Sequence, residues 1–159
     1  QEEGNKATTS HFVTQLRNCI QSHYDDSDTA RGGGWLNGPQ VDIHPPTPLR
    51  CGLIYDETDG VKHWLFPLTE GWKLEDYSHK KDWNYNQNGW NELYIKCIGT
   101  KIITELNGIT ITDYNGKGIL NDTLHQKKGV GLKGLIAFQL HKKHDIDIAF
   151  KDIQLKILK

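Results

Sequence analysis

Three stretches of the chain place hydrogen-bonding side chains on one side of a segment whose other side is apolar. They hold Gln15 and Arg17, then Gln40, Asp42 and His44, and then Gln139 and His141. In a β-strand, residues two apart point to the same face. Amide, carboxylate, imidazole and guanidinium groups on one concave surface are suited to sugar hydroxyls, although each polar face alone could simply meet solvent. We therefore expect Arg17, Gln40, Asp42, His44 and Gln139 to converge in one hydrophilic hollow.

Aromatic and acidic residues flank this predicted hollow. Tyr55, Asp56 and Glu57 end a short apolar run beside the hollow, where all three are placed to bind hydroxyls or a divalent cation. Trp35 and Trp64 offer flat apolar surfaces on which the C–H face of a pyranose can stack. Packing in the core or in a loop is the alternative role for both tryptophans.

The elements that must position these residues are read most clearly from residues 90–114. Leu93, Ile95 and Cys97 alternate with polar residues, and the same period of two continues at residues 102, 104 and 106. Gly99-Thr100 and Asn107-Gly108 are turn pairs, and Asn-Gly is typical of a type I′ hairpin turn. The pattern predicts a three-stranded antiparallel meander.

Further strands are predicted on both sides of the meander. Their predicted ranges are 11–21, 38–44, 51–56, 61–66, 134–140 and 146–158, with a change of parity that predicts a β-bulge at Lys151-Asp152. The Gly-rich residues 22–38 predict an irregular loop, and residues 67–89 a long excursion with one helical turn near residues 74–77. Short helical character is expected at residues 121–127. Little helix and many short strands indicate an all-β sandwich or barrel.

Composition limits the class of protein. The chain has 159 residues, which suits one domain, and 19 basic residues against 20 acidic ones give a net charge of −1. That balance argues against a nucleic-acid partner and against a membrane partner. Three cysteines without CxxC spacing allow at most one internal disulfide, and they are expected as small core residues. The chain has no Met, so processing upstream is expected, and Asn121 begins a glycosylation sequon that is usable if the chain is secreted.

Three blocks of sequence resemble a known family. They read GPQVDIHPPTPLRCGLIYDE, WNELYIKCIGTKIITELNGITITDY and GLIAFQLHKKHDIDIAFKDIQLKIL, and they are similar to the 3-keto-disaccharide hydrolase domain, also known as domain of unknown function 1080. The resemblance implies a concanavalin A-like β-sandwich, or jelly roll, of two antiparallel sheets. It also implies activity on glucosides that are oxidised at the sugar 3-position.

The resemblance begins inside the family's domain. The family normally starts with further strands that include a segment like LFNGKDLSGW, and nothing before His11 matches them. We therefore expect residues 1–10 to be a disordered or extended segment and residues 11–159 to form a single β-sandwich domain that lacks the first strands. Such a sandwich has an open sheet edge, which invites a second chain or self-association.

The chemistry implied by the resemblance assigns roles to several of these residues. A ketone makes its neighbouring C–H acidic, so the glycosidic bond can be cleaved through proton abstraction by a base, with a group that polarises the ketone and an acid for the leaving oxygen. Asp42 and His44 are candidates for base and polariser or for metal ligands, and Arg17 and His141 for electrophilic partners. An exposed loop position is the alternative for His141. The resemblance assigns no certain cofactor, and a divalent metal ion stays open.

Three functions follow as hypotheses. The first is an enzyme, a hydrolase or lyase of 3-keto sugars, and the second is a carbohydrate-binding module without catalysis. The third is a structural subunit of an extracellular assembly that is completed by strands from another chain. A secreted, extracellular or periplasmic location is expected from the resemblance and from the processed start.

Overall fold

The computed structural model describes residues 8–17, 24–25, 35–44, 50–66, 84–130, 136–138 and 146–157. Residues 8–17, 24–25, 35–36 and 146–147 are described by their backbone. The elements are Thr8–Arg17 (β1), Tyr24–Asp25 (β2), Trp35–Leu36 (β3), Pro39–Val41 (β4), Ile54–Asp56 (β5), His63–Phe66 (β6), Trp90–Ile98 (β7), Lys101–Leu106 (β8), Ile109–Asn115 (β9), Thr123–Lys127 (α1) and Ile146–Lys156 (β10).

The described strands form three sheets. A five-stranded sheet has the order β10-β1-β7-β8-β9, a three-stranded sheet has the order β4-β5-β6, and β2 pairs with β3. Neighbouring strands are antiparallel in β4-β5-β6 and in β7-β8-β9, whereas β1 runs parallel to both β7 and β10. The all-β sandwich is confirmed, with this parallel pairing of β1 as an added feature.

The meander forms as its pattern predicts. Leu93, Ile95 and Cys97 of β7 are buried, and so are Ile102, Thr104 and Leu106 of β8. Asn107 and Gly108 have φ angles of 49° and 80°, the positive values that a type I′ turn requires at both central positions. Short turns fix the register of these strands, so every second side chain faces the core.

The predicted bulge in β10 is confirmed. Val13 lies opposite Lys151 and Gln15 opposite Gln154, so Asp152 and Ile153 share one partner position, and Asp152 has a φ of 51°. Because the bulge reverses the alternation, Leu155 is in register with Leu16, which is in register with the buried Ile95. The apolar residues on both sides of the bulge therefore keep to one face of the sheet.

Two predictions about the connections need correction. Residues 22–38 are not wholly irregular, because β2 and β3 pair inside that range; two residues on each side suffice for a ladder that has no periodic pattern. The strand predicted at residues 134–140 is absent over residues 136–138, which have no regular structure and are exposed. Three alternating apolar residues, Ile136, Phe138 and Leu140, are too few to specify a strand by themselves. The helical turn predicted near residues 74–77 lies outside the described residues.

The core lies between the three-stranded sheet and the five-stranded sheet. Cys51, Leu53, Ile54 and Leu65 from one side join the buried face of the meander, with Tyr114, Leu120 and Val130 completing the cluster. Cys51 and Cys97 are buried, as expected for small core residues, while Cys19 lies outside the described part of the chain. No helix in the described part of the chain is long and apolar enough to cross a membrane.

Candidate functional site

The three-stranded sheet aligns a row of side chains across its strands. Gln40 of β4 is in register with Tyr55 of β5, which is in register with Trp64 of β6. The neighbours Ile54 and Leu65 are fully buried in the core, whereas Gln40, Tyr55 and Trp64 are half-buried. Because side chains alternate along a strand, Gln40 and Tyr55 lie on the face away from the core. Trp64 follows a register shift between β5 and β6, and it also packs against the core cluster. We call Gln40, Asp42, Arg50, Tyr55 and Trp64 the polar face.

An ion pair stands at one end of the polar face. Arg50 Nε lies 3.1 Å from Asp42 Oδ2, and the two side chains are 22% and 14% exposed. The Nε–H makes no aligned hydrogen bond, so this contact is a charge pair rather than a directed bond. Gln40 Nε2 donates to Asp42 Oδ1 at the long distance of 3.5 Å. The carboxylate of Asp42 is thus held between a cation and an amide and keeps some contact with solvent.

Aromatic rings make up the rest of the polar face. Tyr55 and Trp64 meet edge to face, with ring centroids 5.2 Å apart and an interplanar angle of 81°. The guanidinium carbon of Arg50 lies 5.9 Å from the centroid of the Trp64 ring, within the range of a cation–π contact. Arg50 therefore links the carboxylate of Asp42 to the indole of Trp64.

Tyr55 is kept in its protonated form. Burial raises the pKa of its hydroxyl, and the negative charges of Glu57 and Asp56 raise it further. A neutral phenol both donates and accepts hydrogen bonds, which is what a sugar hydroxyl needs from a neighbour.

Backbone hydrogen bonds hold the ion pair in place. The Asp42 N–H donates to the Leu53 carbonyl and the Gly52 N–H donates to the Asp42 carbonyl, both at 2.9 Å. The Arg50 N–H and the Cys51 Sγ both donate to the carbonyl of His44, at 3.3 Å and 3.2 Å. The chain on both sides of residues 45–49 is therefore pinned close together.

Two threonines of the five-stranded sheet hold the segment around Gly52 in place. The Gly52 carbonyl accepts hydrogen bonds from Thr104 Oγ1 at 2.7 Å and from Thr112 Oγ1 at 2.8 Å. Both threonines are fully buried. The Gly52 N–H donates a hydrogen bond to the Asp42 carbonyl. The five-stranded sheet therefore positions the ion pair through the carbonyl of Gly52.

The structure brings together some of the residues that the sequence singles out. Gln40, Asp42, Tyr55 and Trp64 share the polar face, and His44 and Glu57 are half-buried near its ends. Arg17 and Trp35 are described through their backbones, on β1 of the five-stranded sheet and on β3. Gln139 and His141 lie outside the described residues. The roles assigned to these last four residues, and the convergence of all five residues of the hollow, stay predictions.

Sequence analysis missed Arg50. Three prolines precede it, at positions 45, 46 and 48, and no strand period covers it, so it had no predicted face. A basic residue that follows a strand-ending proline run beside an acidic strand was the one available signal.

A second charged cluster lies at the end of β5, where His125 and Asp56 are buried and Asp122 is 41% exposed. His125 Nε2 lies 2.8 Å from Asp56 Oδ2, and His125 Nδ1 lies 2.8 Å from Asp122 Oδ1. His125 is 2% exposed and Asp56 fully buried. The sequence signals the cap of α1 by Asp122, whose side chain accepts from the His125 N–H, but it gives no sign of a contact across 69 positions.

No group of three or more His, Cys, Asp or Glu side chains suited to a metal ion occurs within the described ranges. Cation binding by Tyr55 and Glu57, and metal ligation by Asp42 and His44, therefore stay predictions. The side chain of Asp56, which was expected beside them, is instead fully buried and pairs with His125. The arrangement on the polar face is suited to a sugar ring, with a carboxylate and a guanidinium at one edge.

Comparison with known proteins gives one result. No curated protein and no solved structure matches the chain. The model of the 3-keto-alpha-glucoside-1,2-lyase-like domain matches residues 9–156, which includes β4, β5 and β6 and both meander hairpins. The match spans nearly the whole chain and supports a carbohydrate-active role, so the chain belongs to the 3-keto-alpha-glucoside-1,2-lyase-like domain family.

Proposed function

We propose that the protein cleaves the glycosidic bond of 3-keto-glucosides by elimination across C1 and C2, with the polar face as the binding site. The observation that supports this most is the Asp42–Arg50 pair, 3.1 Å apart, at the edge of a surface formed by Tyr55 and Trp64. It offers a base and a fixed cation beside an aromatic platform. Family membership supports a role on carbohydrates, and the choice of 3-keto-glucosides is part of the proposal.

The reaction begins at the carbon next to the ketone. Asp42 takes the proton from C2, and the electron pair of that C–H bond moves toward the C3 carbonyl as an enolate. Arg50 stabilises the negative charge that develops on the C3 oxygen, since a fixed cation is most effective where charge appears in the transition state. Collapse of the enolate forms the C1–C2 double bond and breaks the bond from C1 to the leaving oxygen.

His44 and Trp64 complete the proposed site. His44 gives a proton to the leaving oxygen, so that an alcohol is released and charge is balanced. Trp64 carries the sugar ring on its indole face, and Gln40 and Tyr55 bind ring hydroxyls. Water can then add to the unsaturated product, which would make the overall outcome a hydrolysis.

The test is turnover of 3-keto-trehalose or 3-keto-lactose, measured as released glucose and as absorbance of the enone product. Positioned acids and bases contribute roughly 10²–10⁴-fold to rate, so Asp42→Asn and His44→Gln should each lower kcat by about that range. A substrate deuterated at C2 should react more slowly with the wild-type protein.

The matched control is Asp113→Asn. Asp113 also pairs with a cation, Lys101, at 2.9 Å, but on an exposed strand surface, so its removal should leave kcat unchanged. Equal activity of wild type and Asp42→Asn would contradict the proposed base. Binding of the keto sugar without any turnover would instead assign the polar face to a binding module.

A further inference from the structure

Two short contacts constrain the number of protons on the buried ring of His125. Both ring nitrogens lie 2.8 Å from carboxylate oxygens, and an ionised carboxylate can only accept hydrogen bonds. A neutral imidazole has one N–H and so could satisfy only one of the two contacts. With both carboxylates ionised, His125 therefore carries both protons and is an imidazolium.

Carboxylates from two neighbouring elements support this charge. Asp56 faces it from β5 and Asp122 from the start of α1. Tyr114 lies on β9, and its hydroxyl, buried without a hydrogen-bond partner, has a pKa raised by burial and then by the negative charge of Asp56. Lys128, which directly follows α1, pairs with Asp59 at 2.9 Å. The balance around the ring is negative, which favours the cation.

Asp56 connects this charge to the strands of the polar face. Its Oδ1 accepts the Thr58 N–H at 2.9 Å, and the Thr58 Oγ1 accepts the Gly38 N–H at 3.1 Å. Gly38 directly precedes β4, and Asp56 directly follows Tyr55 on β5. A change at His125 thus reaches β5 directly through Asp56, and it reaches β4 through the two further hydrogen bonds.

We propose that His125 is a positioning residue: as an imidazolium between Asp56 and Asp122, it ties α1 to the end of β5 and holds Tyr55 and Gln40 in register on the polar face. The link to sugar turnover rests on the proposed function, whereas the charge and its coupling to β5 do not.

The proposal predicts an alkaline transition. Burial alone lowers the pKa of His125, but the hydrogen bonds to Asp56 and Asp122 outweigh burial and raise the pKa above its ordinary value. The interaction of the imidazolium with the two carboxylates is therefore fully present below the ordinary pKa of histidine, about 6.5, as long as Asp122 stays ionised. It is lost as pH rises through the raised pKa of His125.

The direct test is NMR of the ¹⁵N-labelled protein. At pH 6 both ring nitrogens of His125 should show shifts of protonated nitrogen, and the Thr58 amide should titrate with the same midpoint as the ring. Asp122→Asn removes one carboxylate and leaves Asp56 in place, so it should move this midpoint to lower pH. Asp113→Asn, which changes an exposed carboxylate, should leave it unmoved.

Two results would overturn the proposal. One is a ring nitrogen of His125 without a proton at pH 6, and the other is a Thr58 amide that does not follow the ring. Neither measurement needs a substrate, so absence of turnover would count against the proposed function alone. Where turnover is found, the alkaline limb of kcat/KM against pH should shift with Asp122→Asn and not with Asp113→Asn; a limb that ignores Asp122→Asn would exclude the coupling to the polar face.

Discussion

Arg50 has two tasks on the polar face, because its guanidinium contacts both a carboxylate and an aromatic ring. Lysine carries the same charge as arginine, but it lacks the planar group that can lie over Trp64 and face Asp42 together. Shape as well as charge should therefore matter at position 50.

Arg50→Gln removes the cation from the polar face. We expect kcat on the keto sugar to fall on the order of 10²-fold, the usual cost of losing a donor that stabilises a developing oxyanion, and Arg50→Lys to recover part of the loss. Steady-state kinetics check this, with Lys101→Gln as the control because Lys101 pairs with Asp113 at an exposed site. Wild-type kcat for Arg50→Gln would exclude Arg50 from the reaction.

Gly52 offers a second test at a single residue. Its φ is +88°, and an added Cβ would lie 2.9 Å from Thr104 Oγ1 and 3.0 Å from Ile111 Cβ. Gly60 has a similar φ of +85° with open space around it. Gly52→Ala should therefore lower the free energy of unfolding by about 2–4 kcal/mol, from backbone strain together with overpacking, and Gly60→Ala by only about 1 kcal/mol. Urea unfolding measures both free energies. Equal losses for the two variants would show that Thr104 and Ile111 move to accept the added Cβ without destabilising the fold.

At the scale of the elements, the two sheets meet at a hydrogen-bonded point as well as across apolar surface. Thr104 from β8 and Thr112 from β9 donate to the same carbonyl of Gly52. A buried carbonyl that loses all its donors keeps its full cost of desolvation. The two threonines should thus behave as a unit in which either one partly covers for the other.

Replacing the threonines by valine tests this unit. Each single variant should lower the free energy of unfolding by about 1 kcal/mol, and the double variant by clearly more than the sum, because only then is a buried carbonyl unsatisfied. The control is Thr110→Val on β9, since Thr110 is exposed. Strict additivity would mean that the carbonyl finds another donor.

The same scale shows what a sequence can predict and what it cannot. The hairpin at Asn107-Gly108 and the bulge at Lys151-Asp152 were predicted because turn chemistry and parity are local. The pairing of β2 with β3 was missed because two residues have no period. His125 and Asp56 were missed as partners, and Arg50 as a site residue, because nothing local encodes contacts made by the packing of sheets and turns.

For the whole molecule, the charge on His125 links stability to pH. A group whose pKa is raised on folding stabilises the folded state below its unfolded pKa, and this contribution is lost as pH rises through the folded pKa. The lowered pKa of Asp122, caused first by the hydrogen bond from the His125 backbone and then by its ring, acts in the opposite direction and weakens the fold as pH falls through that value.

The free energy of unfolding should therefore decline from about pH 6.5 upward as His125 loses its proton. Urea unfolding at a series of pH values checks the decline, and Asp122→Asn should begin it at lower pH. His125→Gln should remove this component of the slope if it folds. A wild-type profile that stays level across the alkaline range would contradict a buried imidazolium.

Cys51 and Cys97 give the folded chain its own reporter of opening. Burial raises the pKa of the Cys51 thiol to about 12, so at neutral pH the native protein presents almost no thiolate there, and only thiolate reacts with alkylating reagents. Mass spectrometry after brief exposure to iodoacetamide would then count molecules in which the two sheets have separated. Because Cys51 is the neighbour of Arg50, its labelling rate would also reveal whether a bound sugar keeps this end of the sandwich closed.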